Sequence, residues 1–155
     1  MQPYVIDFRD KSIIESAWIL SQVDRILNGY VRVAHNHKFD DRFLIYSMNL
    51  NMDYEKRLDD TMNMHQVLNE NLPHALDELA YLYLHAIDYE AEFKATLSKI
   101  NDYGSGSAEK LYWYNGADAW ATAKLYLLFR PQLLDQGLWK LYKKSQLSMS
   151  CLLLD

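Results

Sequence analysis

Between Lys38 and Leu72 the chain contains neither glycine nor proline. These two residues are the strongest local terminators of regular structure, so their absence over such a span favours helix over short, turn-linked strands. Within the span Phe39, Phe43, Tyr46, Leu50, Tyr54, Leu58, Thr61, His65 and Leu68 follow one another by three or four, which is the spacing of one helix face. One long helix is expected, with Asp53 as the place where it would break. A competing pattern runs through the same residues. Leu44, Tyr46, Met48, Leu50 and Met52 alternate strictly and the preceding "YVRVAH" is β-branched, so a hairpin of residues 30–36 and 42–52 is the alternative.

Helical spacing continues on both sides. Ile13, Ala17, Leu20, Leu27, Tyr30 and Ala34 make a stripe from Lys11 to about Ala34; Asp10 stands where an N-cap belongs, and Gly29 either ends this helix or is tolerated in it. Pro73 is placed as a first-turn proline opening a helix that runs to about Ile100, roughly 40 Å at 1.5 Å per residue. "NDYGSGS" stops it. "SAEKLYWYNGADAWATAKLYLLF" resumes the helix, with an interruption expected at Asn115-Gly116. Pro131 ends that helix and opens a last one, while the terminal "QLSMSCLLLD" stays undecided. The economical architecture is all-α, an antiparallel bundle of about five helices forming a single helical domain over 1–155. The alternative is α+β with the small hairpin.

On a helical wheel His74, Glu78, Tyr81, His85, Asp88 and Glu92 fall on one stripe about 80° wide, with apolar residues around the rest of the circumference. His85, Asp88 and Glu78 are candidates for an acid/base set, and His85 with Glu78 for metal ligation. Against this, no Glu-x-x-His step of the kind used in helical-bundle metal sites occurs. The same stripe is also what a mostly buried helix leaves to water. No cofactor is called for.

"RVAHNH" offers a second constellation, Arg32 with His37, beside His35. The Arg-x4-His spacing resembles the short motif of HEPN-type helical ribonucleases, which implies arginine stabilising phosphate charge and histidine transferring a proton. A composition with six Arg and five His produces such spacings readily by chance, and Asn36 between the histidines favours an interhelical turn. "YGSGSAEK" lacks the lysine of a phosphate-binding loop and reads as a connector capped by Ser107. Cys151 has no predicted base beside it and cannot pair within the chain, which with the absence of a secretory leader or an apolar span points to the cytoplasm.

Charge directs the functional expectation. Residues 53–92 hold ten acids against Lys56 and Arg57. Such a block repels phosphate, so no direct nucleic acid and no membrane is expected as partner. The reading that follows is a small protein-binding module of the inhibitor, immunity or anti-defence type. Asp53, Asp59, Asp60, Glu90 and Glu92 would dock on another protein with a basic surface, and exposed Tyr or Trp would anchor the contact. The alternatives are a helical-bundle hydrolase or nuclease with a His/carboxylate site, and an oligomeric structural subunit, in the simplest case a homodimer.

Overall fold

Ser12 starts the first helix. Its hydroxyl accepts the Glu15 N–H at 3.2 Å while the Glu15 carboxylate accepts the Ser12 N–H at 2.9 Å, a reciprocal cap. The computed structural model describes residues 3–6, 10–50, 58–86 and 107–152. In it helix α1, Ile13–Gly29, stops at its glycine, and the chain passes into strand β1, Arg32–Ala34.

Helix α2, His37–Arg42, follows and widens into a π-helical turn at Phe43–Ser47. The expected long helix ends there. Asn49 turns left-handed, with φ 52, and the Leu50 N–H reaches back to Leu44 O at 3.0 Å. Asparagine thus fills the position that usually calls for glycine, which is why a span free of Gly and Pro still breaks. Asp53, the expected break, lies outside the described residues.

"YVRVAH" does hold a strand, although its partner is not residues 42–52. Strand β2, Leu58–Asp60, runs parallel to β1, with Arg32 opposite Leu58, Val33 opposite Asp59 and Ala34 opposite Asp60. A parallel pair needs a crossover rather than a tight turn, and α2 lies in that crossover. Among the described residues the chain is therefore predominantly helical, with one small parallel sheet.

Helix α3, Thr61–Leu68, follows β2 directly; α4, Leu76–Leu84, begins three residues beyond Pro73. It ends in another left-handed non-glycine residue, His85 with φ 53, and the Ala86 N–H closes back on Ala80 O at 3.2 Å. The expected continuation to Ile100 falls among residues outside the described set. Helix α5, Ala108–Asp135, is 28 residues long and contains both Gly116 and Pro131. Pro131 is tolerated because it and Leu127, whose carbonyl loses its partner, lie on the exposed side. After Gly137 (φ 69) come α6, Trp139–Leu141, a π-helical stretch Tyr142–Leu147, and α7, Ser148–Leu152.

Leu58, Met64, Leu79, Leu125, Phe129, Leu133, Tyr142 and Leu147 form the main core. It gathers β2, α3, α4, α5 and the C-terminal segment around Phe129, which is wholly buried. Among the described residues no helix is long and apolar enough to cross a membrane.

Candidate functional site

Strand β2 is buried along its length and yet ends in two carboxylates, Asp59 at 3% exposure and Asp60 at 0%. Buried carboxylates persist only when fully partnered, and both are. Asp59 accepts from the Tyr142 hydroxyl at 3.0 Å and from Lys143 Nζ at 2.8 Å. Asp60 accepts the Asn63 N–H at 3.0 Å, capping α3, and the His37 N–H at 2.6 Å, so a single side chain covers two helix starts. The Asp60 N–H in turn donates to the Tyr142 hydroxyl at 2.8 Å. Burial, and next the Asp59 charge, push the Tyr142 phenol far above its ordinary range, so it stays a neutral donor.

Two further acids stand side by side on α2. Neighbouring residues on a helix point about 100° apart, and here the difference separates two roles. Asp41 turns inward, 1% exposed, to Arg32 Nη1 at 2.5 Å and His37 Nδ1 at 2.9 Å. Asp40 faces outward, exposed at the surface. Although its edge is open, the protein around it displaces bulk water, and this desolvation together with the charges of Asp41, Asp60 and Asp118 pushes its carboxyl up to about 6; His37 offsets part of the shift. Asp118 is half-buried on α5. One turn before it stands Tyr114 on the same helix face. Pro3 crosses α5 at Gly116, where a Cβ would meet the proline ring at 3.3 Å.

Asp40 and Asp118 thus come from helices far apart in sequence and sit within electrostatic reach of each other. An acid whose carboxyl is pushed up by desolvation and by neighbouring carboxylates stands in a negative field, which gives such a site affinity for a cation. A family model for 3'-5' exonucleases of A-type DNA polymerases matches residues 4–134, a span that contains both acids. The chain belongs to the 3'-5' exonuclease family. A DNA polymerase of Escherichia phage T5 is 35% identical over 115 residues, which cover 65% of this chain and 14% of that polymerase.

Membership in the exonuclease family overturns the expectation of an inhibitor or anti-defence module, and with it the exclusion of direct nucleic acid contact. The error came from counting charge without burial. Asp59 and Asp60, placed on a docking face by their position in the acidic block, are interior groups already neutralised by Lys143, Tyr142 and backbone N–H groups. Carboxylates that hold a divalent ion also reverse the local sign of the field, so acidity at a site does not forbid phosphate.

The remaining predicted residues are dispersed. Arg32 and His37 do come together, but both are buried on Asp41. Glu78 is exposed on α4, and His85 is its left-handed cap rather than a continuation of the same stripe. Asp53, Asp88, Glu90 and Glu92 lie outside the described residues. His74 leaves the helix altogether and meets His65, Nδ1 to Nδ1 at 2.7 Å, while His65 Nε2 lies 3.0 Å from the Tyr83 hydroxyl. Burial, then the nearby His74 and His35, bring the His65 imidazole down to about 4. His35 is also lowered by burial, partly countered by Asp60.

Sequence reasoning missed Asp40 and Asp118. A signal existed for each: Asp40 belongs to an acid doublet that closely follows "HNH", and Asp118 interrupts a run of aromatic and small residues one turn after Tyr114. Neither spacing reveals that the two lie within electrostatic reach of each other.

Proposed function

We propose that this chain acts on the 3' end of a DNA strand, removing nucleotides by phosphodiester hydrolysis with a divalent cation held at Asp40 and Asp118. The carrying observation is that these two acids, from α2 and α5, share one electrostatic neighbourhood inside the exonuclease-matched span. The donor set fits Mg²⁺ or Mn²⁺. Such ions take hard oxygen ligands and commonly bind through one or two carboxylates, with substrate phosphate and water completing the shell. Among the described residues no three His, Cys, Asp or Glu side chains are grouped tightly enough to enclose a metal, so the remaining ligands would come from substrate, water or residues outside that set.

When bound, the ion supplies phosphate charge neutralisation and an acidified water. The chain's own residues do the rest. Asp40 and Asp118 hold the charge that draws the ion, and α2 and α5 fix their separation. Tyr114 stands one turn before Asp118 on the same face of α5. The single cysteine fits a cytoplasmic setting.

The grouping of only two acids, among the described residues, favours a second reading in which the chain holds a 3' end without cleaving it. A 5'-labelled single-stranded oligonucleotide incubated with Mg²⁺ separates the two. Stepwise shortening from the 3' end, lost in Asp40→Asn and Asp118→Asn, supports hydrolysis. Capture of the strand at constant length supports holding. Neither shortening nor capture would remove both.

A further inference from the structure

Helix α2 carries Asp40 but has almost no apolar grip on the protein. Its buried residues are His37 and Asp41, and Phe39 is 77% exposed. The π-helical turn that continues it buries no residue fully. Polar anchors therefore set its orientation. Arg32 of β1 holds Asp41, and Asp60 of β2 accepts the His37 N–H. The third anchor comes from the other end of the chain: Ser150 Oγ on α7 lies 2.9 Å from His37 Nε2, while His37 Nδ1 donates to Asp41 Oδ2 at 2.9 Å.

Asp41, His37 and Ser150 are in the order of a hydrolytic Ser-His-Asp triad. Exposures of 1%, 0% and 7% deny any substrate access to the serine, so the arrangement holds a helix rather than attacking a bond. Two anchors on a six-residue helix leave it one axis about which to turn. A third removes that freedom, and turning α2 changes the distance between Asp40 and Asp118.

We infer that Ser150 is a positioning residue for the Asp40 and Asp118 site, acting through His37 to fix the rotation of α2. This rests on the cation-binding reading above and extends it to a part of the chain beyond residue 134, where the family match ends. The α7 segment is then part of the frame of the site.

The test is Mn²⁺ binding to the whole 155-residue chain, followed by electron paramagnetic resonance, with thermal unfolding measured in parallel. Ser150→Ala should bind Mn²⁺ about 10- to 100-fold more weakly, the usual cost of removing a group that orients a metal ligand, while Ser150→Thr retains the hydroxyl and the affinity. Wild-type affinity in a folded Ser150→Ala overturns the inference and leaves the cation site standing, provided Asp40→Asn loses binding. No binding by the unsubstituted chain removes both. If Ser150→Ala unfolds, Ser150→Thr against Ser150→Val decides, since they share a shape and differ in the hydroxyl; equal affinities overturn the inference.

Discussion

Asp40 and Asp41 are adjacent on one short helix and live in opposite environments: Asp41 is buried on Arg32 and His37, while Asp40 is exposed within reach of the Asp118 charge. The inner acid binds the helix to the sheet, and the outer one faces the surface. The consequences of this division can be measured.

Asp40 is held up to about 6 from an ordinary 3.8. The folded state therefore takes its proton more readily than the unfolded one, and stability contributed by this group falls as pH rises from about 4 to about 6. Asp40→Asn should raise the Tm at pH 8 and lose its advantage below pH 4. Solvent screening of the exposed carboxylate limits the gain to about 1 kcal/mol, or roughly 2–4 °C. An unchanged Tm difference across that range would contradict the shift.

On the proposed function, hydrolysis should depend on the same proton in the opposite sense. Cation binding needs the Asp40 carboxylate, so at limiting Mg²⁺ the rate should rise with pH through about 6. Asp118→Asn should lower kcat by about 10²- to 10³-fold, the scale of losing one electrostatic stabiliser of a transition state. A pH-rate profile with and without saturating metal checks both.

Tyr142→Phe removes a hydroxyl that accepts the Asp60 N–H and donates to Asp59. Asp59 keeps Lys143, but the buried Asp60 N–H is orphaned, at a cost of about 1–3 kcal/mol. Urea unfolding should show this as a lower midpoint at unchanged slope.

Breaking the Arg32–Asp41 pair is the costlier change. Arg32→Met leaves a buried carboxylate with His37 as its remaining named partner, and such losses run to about 3–5 kcal/mol. A simultaneous Asp41→Asn should recover part of it, measurable as a double-mutant cycle.

His65 titrates at about 4 against an ordinary 6.5. Its neutral form is the folded form, so its contribution to stability is present above pH 6.5 and is lost as pH falls toward 4. His65→Gln should flatten the pH dependence of unfolding in that window; an unaltered slope would place the loss elsewhere.

Helical spacing was legible along most of the chain because apolar periodicity is a local property: Ile13 to Leu27, Leu76 to Leu84 and Ala108 to Phe129 all fall in observed helices. Helix ends were less legible, since Asn49 and His85 adopt the left-handed turn without the glycine that would announce it. Pro131 erred the other way, because the exposure of Leu127 lets a helix run through it.

What the sequence by itself determined was a mainly helical chain; it left "YVRVAH" open between the end of the first helix and a strand. Tertiary structure decided the rest. It paired β1 with residues 58–60 across a crossover, buried Asp59 and Asp60 that charge counting had put on the surface, and set Asp40 within electrostatic reach of Asp118, 78 positions further along the chain. Whether a carboxylate is a structural anchor, a docking charge or a cation ligand depends on its water and its neighbours, and both are supplied by residues that local spacing does not connect.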